Sequence, residues 1–72
     1  MGYQIIMTLD DFLKTKMLSV FSGINIYLNG ELVLSGVDVY TIALNSKYGI
    51  YKSYVVITAQ ENHSELSIFL GF

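Results

Sequence analysis

Asn29-Gly30 stands between two alternating apolar runs, and no other feature limits the fold as much. A two-residue type I′ turn needs positive φ at both central residues, and Asn-Gly meets that need at low cost. On one side, INIYL at 24–28 places Ile24, Ile26 and Leu28 on one face and Asn25 and Tyr27 on the other. On the other side, ELVLS at 31–35 alternates again, so Leu32 and Leu34 are expected to pair with the isoleucines on the core face, with Gly36 ending the strand. The chain must therefore contain an antiparallel hairpin with one apolar face in need of cover.

A helix is the natural cover. In TLDDFLKTKMLSV at 8–20, Leu9, Phe12, Leu13, Met17 and Val20 recur at helical spacing. Thr8 is an N-cap residue, and Asp11 takes the acidic position of a capping box three residues on. Asp10 and Asp11 in the first turn and Lys14 and Lys16 further along suit the helix dipole. Ser22-Gly23 is expected to stop the helix. Residues 3–7, YQIIM, read as a short extra strand or an upstream tail, and Met7 is an alternative start to Met1.

Two further strands close the chain: 52–59 (KSYVVITA) and 65–70 (ELSIFL), joined by the polar loop 60–64. Leu66, Ile68 and Leu70 face one way, Ser67 and Phe69 the other. The stretch 37–49 reads as a short strand or extended arm followed by a loop, with a single helical turn near 40–44 as the alternative. Strands in succession without crossover helices argue for an antiparallel sheet. The expected fold is a single 1–72 domain of the α+β class, two-layered, with one N-terminal helix on a four-stranded antiparallel sheet. Its expected core is Leu9, Phe12, Leu13, Ile24, Ile26, Leu32, Leu34, Ile57, Leu66 and Ile68. Tyr27, Val33, Val56, Thr58 and Phe69 would occupy the uncovered face.

Composition narrows function mainly by exclusion. Of 72 residues, 53% are hydrophobic and 14% charged, which is too apolar for a disordered chain. Four Lys against six Asp plus Glu give a net charge of -2, which disfavours a phosphate-backbone binder. No Cys is present, so disulfides, thiol chemistry and Cys-based zinc sites are out. No secretory leader, lipidation pattern or apolar run of membrane-spanning length is visible, and a cytoplasmic location with no membrane partner is expected. His63, in QENHS beside Glu61 and Glu65, is either a general base or, far more ordinarily, a solvated turn residue. Asp10 and Asp11 diverge by about 100° on a helix and do not converge on one ion. Gly23, Gly30, Gly36 and Gly49 have no nucleotide-cradle spacing. The chain is read as having no catalytic, cofactor or metal site, and not as an enzyme.

Tyrosine is the compositional signal. Tyr40, Tyr48, Tyr51 and Tyr54 crowd into fifteen residues, with Lys47 and Lys52 between them. A protein interface, a stacking platform for single-stranded nucleic acid and ordinary half-buried strand residues all fit that pattern. With only two cations nearby, no nucleic-acid binding is expected at physiological salt. A domain of this size hides only roughly 60% of its unfolded surface. Self-association as a homodimer is therefore expected, with Tyr27, Tyr40, Tyr48, Tyr51, Tyr54, Phe69 and Phe72 as candidate interface residues.

The runs TLDDFLK, NIYLNGELVLSG and SYVVITAQENHSELSIFL together resemble small, uncharacterised proteins of phages and mobile elements of Gram-positive bacteria. That resemblance implies a prior on function: an inhibitor of a host protein, such as an anti-CRISPR, acting in the host cytoplasm by surface occlusion. The alternative is a self-assembling structural protein without a host target.

Overall fold

The computed structural model describes residues 7–15 and 22–71. Their elements run α1 (Leu9–Thr15), β1 (Gly23–Leu28), β2 (Glu31–Gly36), α2 (Val39–Leu44), α3 (Tyr48–Tyr51), β3 (Val55–Asn62) and β4 (Glu65–Gly71). The class is α+β, as expected, with a four-stranded sheet in the order β2-β1-β4-β3. Residues 3–6, positions 16–20 of the expected helix and Phe72 lie outside the described residues.

The local signals act as read. Asn29 has φ 54° and Gly30 φ 80°, the paired left-handed residues of a type I′ turn. Thr8 Oγ1 accepts a hydrogen bond from the Asp11 amide at 3.3 Å, capping α1. Leu9, Phe12 and Leu13 point into the core. Gly23, expected in the helix stop, is instead the first residue of β1, and the end of the expected helix lies outside the described residues.

The sheet is mixed rather than wholly antiparallel. β1 pairs antiparallel with β2, and β3 with β4, but β1 and β4 lie parallel at the centre, Ile24 beside Leu66 and Ile26 beside Ile68. Two hairpins therefore stand side by side. The 37–54 connection takes the chain from one edge of the sheet to the other. That connection is helical, which corrects the expected strand or arm and loop and agrees with the alternative of a helical turn near 40–44. Asp38 caps α2, its Oδ1 accepting from both the amide and the hydroxyl of Thr41 at 2.8 Å. Ile42 is fully buried against the sheet. Three short helices, not one, thus belong to the fold.

Strand boundaries also shift. β3 begins at Val55 and runs to Asn62, so the 60–64 loop shrinks to the turn His63-Ser64, where His63 takes φ 59°. Upstream, the Val56 amide donates to the Met7 carbonyl at 2.8 Å and Thr8 bridges Val55, which ties the start of α1 to β3.

Both edge strands carry a β-bulge, and the bulges overturn two core assignments. On β2, Leu34 sits opposite Ile26 but Leu32 sits opposite Tyr27, leaving Val33 as the extra residue. On β3, Val56 sits opposite Leu70 but Thr58 sits opposite Phe69, leaving Ile57 as the extra one. An extra residue reverses the side-chain alternation beyond it. Leu32 and Ile57 are therefore 50% and 60% exposed instead of buried. Val56, expected outside, is fully buried, and Val33 packs half-buried against the core. Ile42, Val56 and Leu70 join Leu9, Phe12, Leu13, Ile24, Ile26, Leu34, Leu66 and Ile68 in the core.

Candidate interaction surfaces

Of the seven aromatic residues singled out in the sequence, the six among the described residues do not form one platform. Tyr27 and Phe69 are brought together by the parallel pairing of β1 and β4, and their rings stack at 5.2 Å and 16° on the sheet face away from the helices. Leu32 on β2 and Thr58 on β3 continue the same row to both edges. A second row holds Ser35, Asn25, Ser67 and Gln60. Glu65 lies at the end of this face, accepting from Asn25 Nδ2 at 2.9 Å. It is the only carboxylate on the outward-facing rows of the described strands, and no lysine lies there.

The tyrosines at 40–54 divide by helix geometry. Tyr48 and Tyr51 are three apart on α3 and turn toward the core together with Tyr54. Tyr51 and Tyr54 meet edge to face at 5.7 Å. These three serve packing. Tyr40 does the opposite. Ile42 holds the buried side of α2, so Tyr40 and Leu44, one turn apart, point away from the sheet and are 80% and 84% exposed. Ile50 of α3 and Val37 before α2 are exposed as well. Sequence reasoning passed over Leu44, Val37 and Ile50. The signal was the Asp38 cap followed by apolar residues too numerous for one buried stripe. Phe72 lies outside the described residues.

Lys47 lies between α2 and α3 and Lys52 follows α3, close enough to Asp10 for its charge to favour the carboxylate; among the described residues neither lysine forms an ion pair, and the one ion pair there is Lys14 Nζ to Asp10 Oδ2 at 3.0 Å. The loop Asn45–Lys47 and the outer edge of β2 enclose an open groove of about 390 Å³ lined by Leu32, Val33, Leu34 and Ser35.

Asp10 links two helices. The Tyr48 hydroxyl donates to Asp10 Oδ1 at 2.7 Å, while Lys14 holds the other oxygen. The Tyr48 hydrogen bond, then the Lys14 hydrogen bond, hold the Asp10 carboxyl below its ordinary value of 3.8. Partial burial, then the hydrogen bond to Asp10 and the Asp10 charge, push the Tyr48 phenol up. A carboxyl with a lowered folded value stabilises above its unfolded pKa, and that contribution is lost as pH falls through the folded one. Tyr48→Phe is accordingly expected to move the Asp10 titration midpoint upward toward 3.8 and to weaken the fold between neutrality and that point. Carboxyl NMR titration checks this; an unmoved midpoint would mean the hydrogen bond is not formed in solution.

His63 is an exposed turn residue. Asp10 and Asp11 diverge, the former engaged by Tyr48 and the latter exposed. No group of three or more His, Asp or Glu among the described residues could hold a metal ion. No helix among them is long and apolar enough to cross a membrane. No family model, curated protein or solved structure matches the chain.

Proposed function

We propose that this is a small, non-enzymatic protein-binding protein that acts by occluding a surface of its partner, through the outward side of α2 and α3. The observation that carries the reading is the exposed pair Tyr40 and Leu44, presented on a helix whose opposite side is anchored by Ile42. Large rigid apolar groups of this kind anchor interfaces when a partner supplies a pocket. Lys47, in the turn between α2 and α3, adds to the partner's chemistry: an apolar depression with a carboxylate at its rim. The pattern-level likeness to phage and mobile-element proteins would make that partner a host protein, as an anti-CRISPR or similar inhibitor requires. The alternative remains a self-assembling protein without a host target, favoured by the uncovered face around Tyr27 and Phe69.

Quantitative capture from a bacterial lysate tests the reading with the wild-type chain beside Tyr40→Glu and Leu44→Glu. Both positions are exposed, so both variants should fold. A stoichiometric partner retained by wild type and lost at least about tenfold by either variant is expected, since hot-spot losses reach about 2 kcal/mol. Equal capture by all three, or recovery of the chain alone, would overturn it.

A further inference from the structure

We infer that the outer face of the sheet is an interface for a second copy of this chain, closing two four-stranded sheets into a sandwich with the helices outside. The face is fit for this by what it lacks. Among the described residues it carries one carboxylate, Glu65, at one end, and no lysine. A surface with so little charge has little to recognise a charged partner with, and little to keep a copy of itself away. Next to the Asn29-Gly30 turn lies the uncharged row Leu32, Tyr27, Phe69 and Thr58, with the two rings already stacked. Ile57 adds to it, because Gly71 has no side chain and the Ile57 methyl occupies the space where one would stand.

Size and charge select the arrangement. Four strands spaced by about 4.8 Å, with six residues rising about 3.3 Å each, give a face of roughly 19 by 20 Å. Two such faces closed together bury on the order of 1,000 Å² once side-chain relief is included, about the least that a specific interface needs and fit for a dimer that forms at micromolar concentration. A two-fold axis in the plane of contact can run along the strands or across them. One along the strands would bring both Glu65 carboxylates to the same end. One across the strands, midway between the Tyr27 and Asn25 rows, seats the Tyr27 and Phe69 row of each copy on the uncharged Asn25 and Ser67 row of the other and sends the two Glu65 groups to opposite ends. The second avoids like-charge contact and is the one assigned. Aligned sheets about 10 Å apart are the ordinary geometry of such a sandwich. Resting on the function proposed above, the dimer would present Tyr40 and Leu44 on both outer sides and bind two partners at once.

Sedimentation equilibrium of the full chain tests the interface independently of any partner. Wild type is expected at twice the 8.1 kDa chain mass at high micromolar concentration. Phe69→Glu is expected at the single-chain mass, because the carboxylate would be desolvated at the contact. Thr58→Lys guards against a folding defect. Thr58 is exposed on an edge strand beside Phe69, so it should keep the native circular dichroism and still weaken the dimer. Tyr40→Glu should leave the dimer intact. A wild type at 8.1 kDa across the range overturns the inference. So does a dimer that survives both Phe69→Glu and Thr58→Lys, or one that Tyr40→Glu dissociates. A monomer that still captures a partner through Tyr40 would leave the proposed function standing.

Discussion

Ile26→Ala and Leu66→Ala are each expected to lower the free energy of unfolding by about 2–5 kcal/mol. Both side chains come from the two central strands and are essentially inaccessible to solvent. Each has neighbours on both sides in the sheet, Leu34 and Ile68 flanking Ile26, and Ile24 and Glu61 flanking Leu66. Truncation there leaves a cavity that strands fixed by ladders on both edges cannot close. A 72-residue domain holds roughly 4–11 kcal/mol in total, so either change removes a large share of it. Each kcal/mol moves the melting temperature of such a domain by about 4–8 °C. Leu32→Ala and Ile57→Ala are expected to cost no more than about 1 kcal/mol, although alternation alone would place them in the same core. Denaturant titration of the four variants at one low protein concentration is the check. Equal losses for all four would mean that the two bulges do not turn Leu32 and Ile57 outward.

That contrast marks where the fold was legible and where it was not. The Asn29-Gly30 turn was legible because its requirement, two positive φ values in succession, is local and few residue pairs meet it. The cap of α1 was legible for the same reason, since Thr8 and Asp11 are three residues apart. The parallel pairing of β1 with β4 was not, because it joins residues some forty positions apart and leaves no local trace. Nor were the bulges at Val33 and Ile57. Neither carries a glycine or proline to signal it, so a period of two reads straight through. α2 sits between these cases. Val39, Tyr40, Thr41 and Ile42 have strand propensity, and tertiary context overrode it. The Asp38 cap, with Thr41 three residues on, was nonetheless present to be read. The tyrosine cluster was visible only as a cluster. Helical spacing on α3 sends Tyr48 and Tyr51 inward, and α2 sends Tyr40 outward, a division that a reading of 40–54 as strand and loop cannot make.

Gly36→Val should be the costliest single change outside the core, because Gly36 sets how closely α2 approaches the sheet. A Cβ at position 36 would lie 2.9 Å from Thr41 Cγ2, 3.0 Å from Thr41 Cβ and 3.2 Å from Ile42 Cδ1. None of these atoms is free to yield. Thr41 is held through both its amide and its hydroxyl by Asp38 at 2.8 Å. Ile42 is the buried anchor of the helix. Added bulk must therefore push α2 away from β2, and overpacking of this kind costs about 1–3 kcal/mol. Gly36→Ala should sit at the lower end of that range and Gly36→Val at or above its upper end. The Thr41 methyl is the nearest obstacle, so Thr41→Ser, which keeps the hydroxyl for Asp38, should relieve part of the cost of Gly36→Ala. A double-mutant cycle measures that relief as a coupling free energy, expected at about 0.5 kcal/mol or more for groups in direct contact. Additive losses would show that α2 does not rest on Gly36. Because α2 also carries Tyr40 and Leu44, Gly36→Val should weaken partner capture beyond what its stability loss explains, with the sheet face around Tyr27 and Phe69 left unchanged.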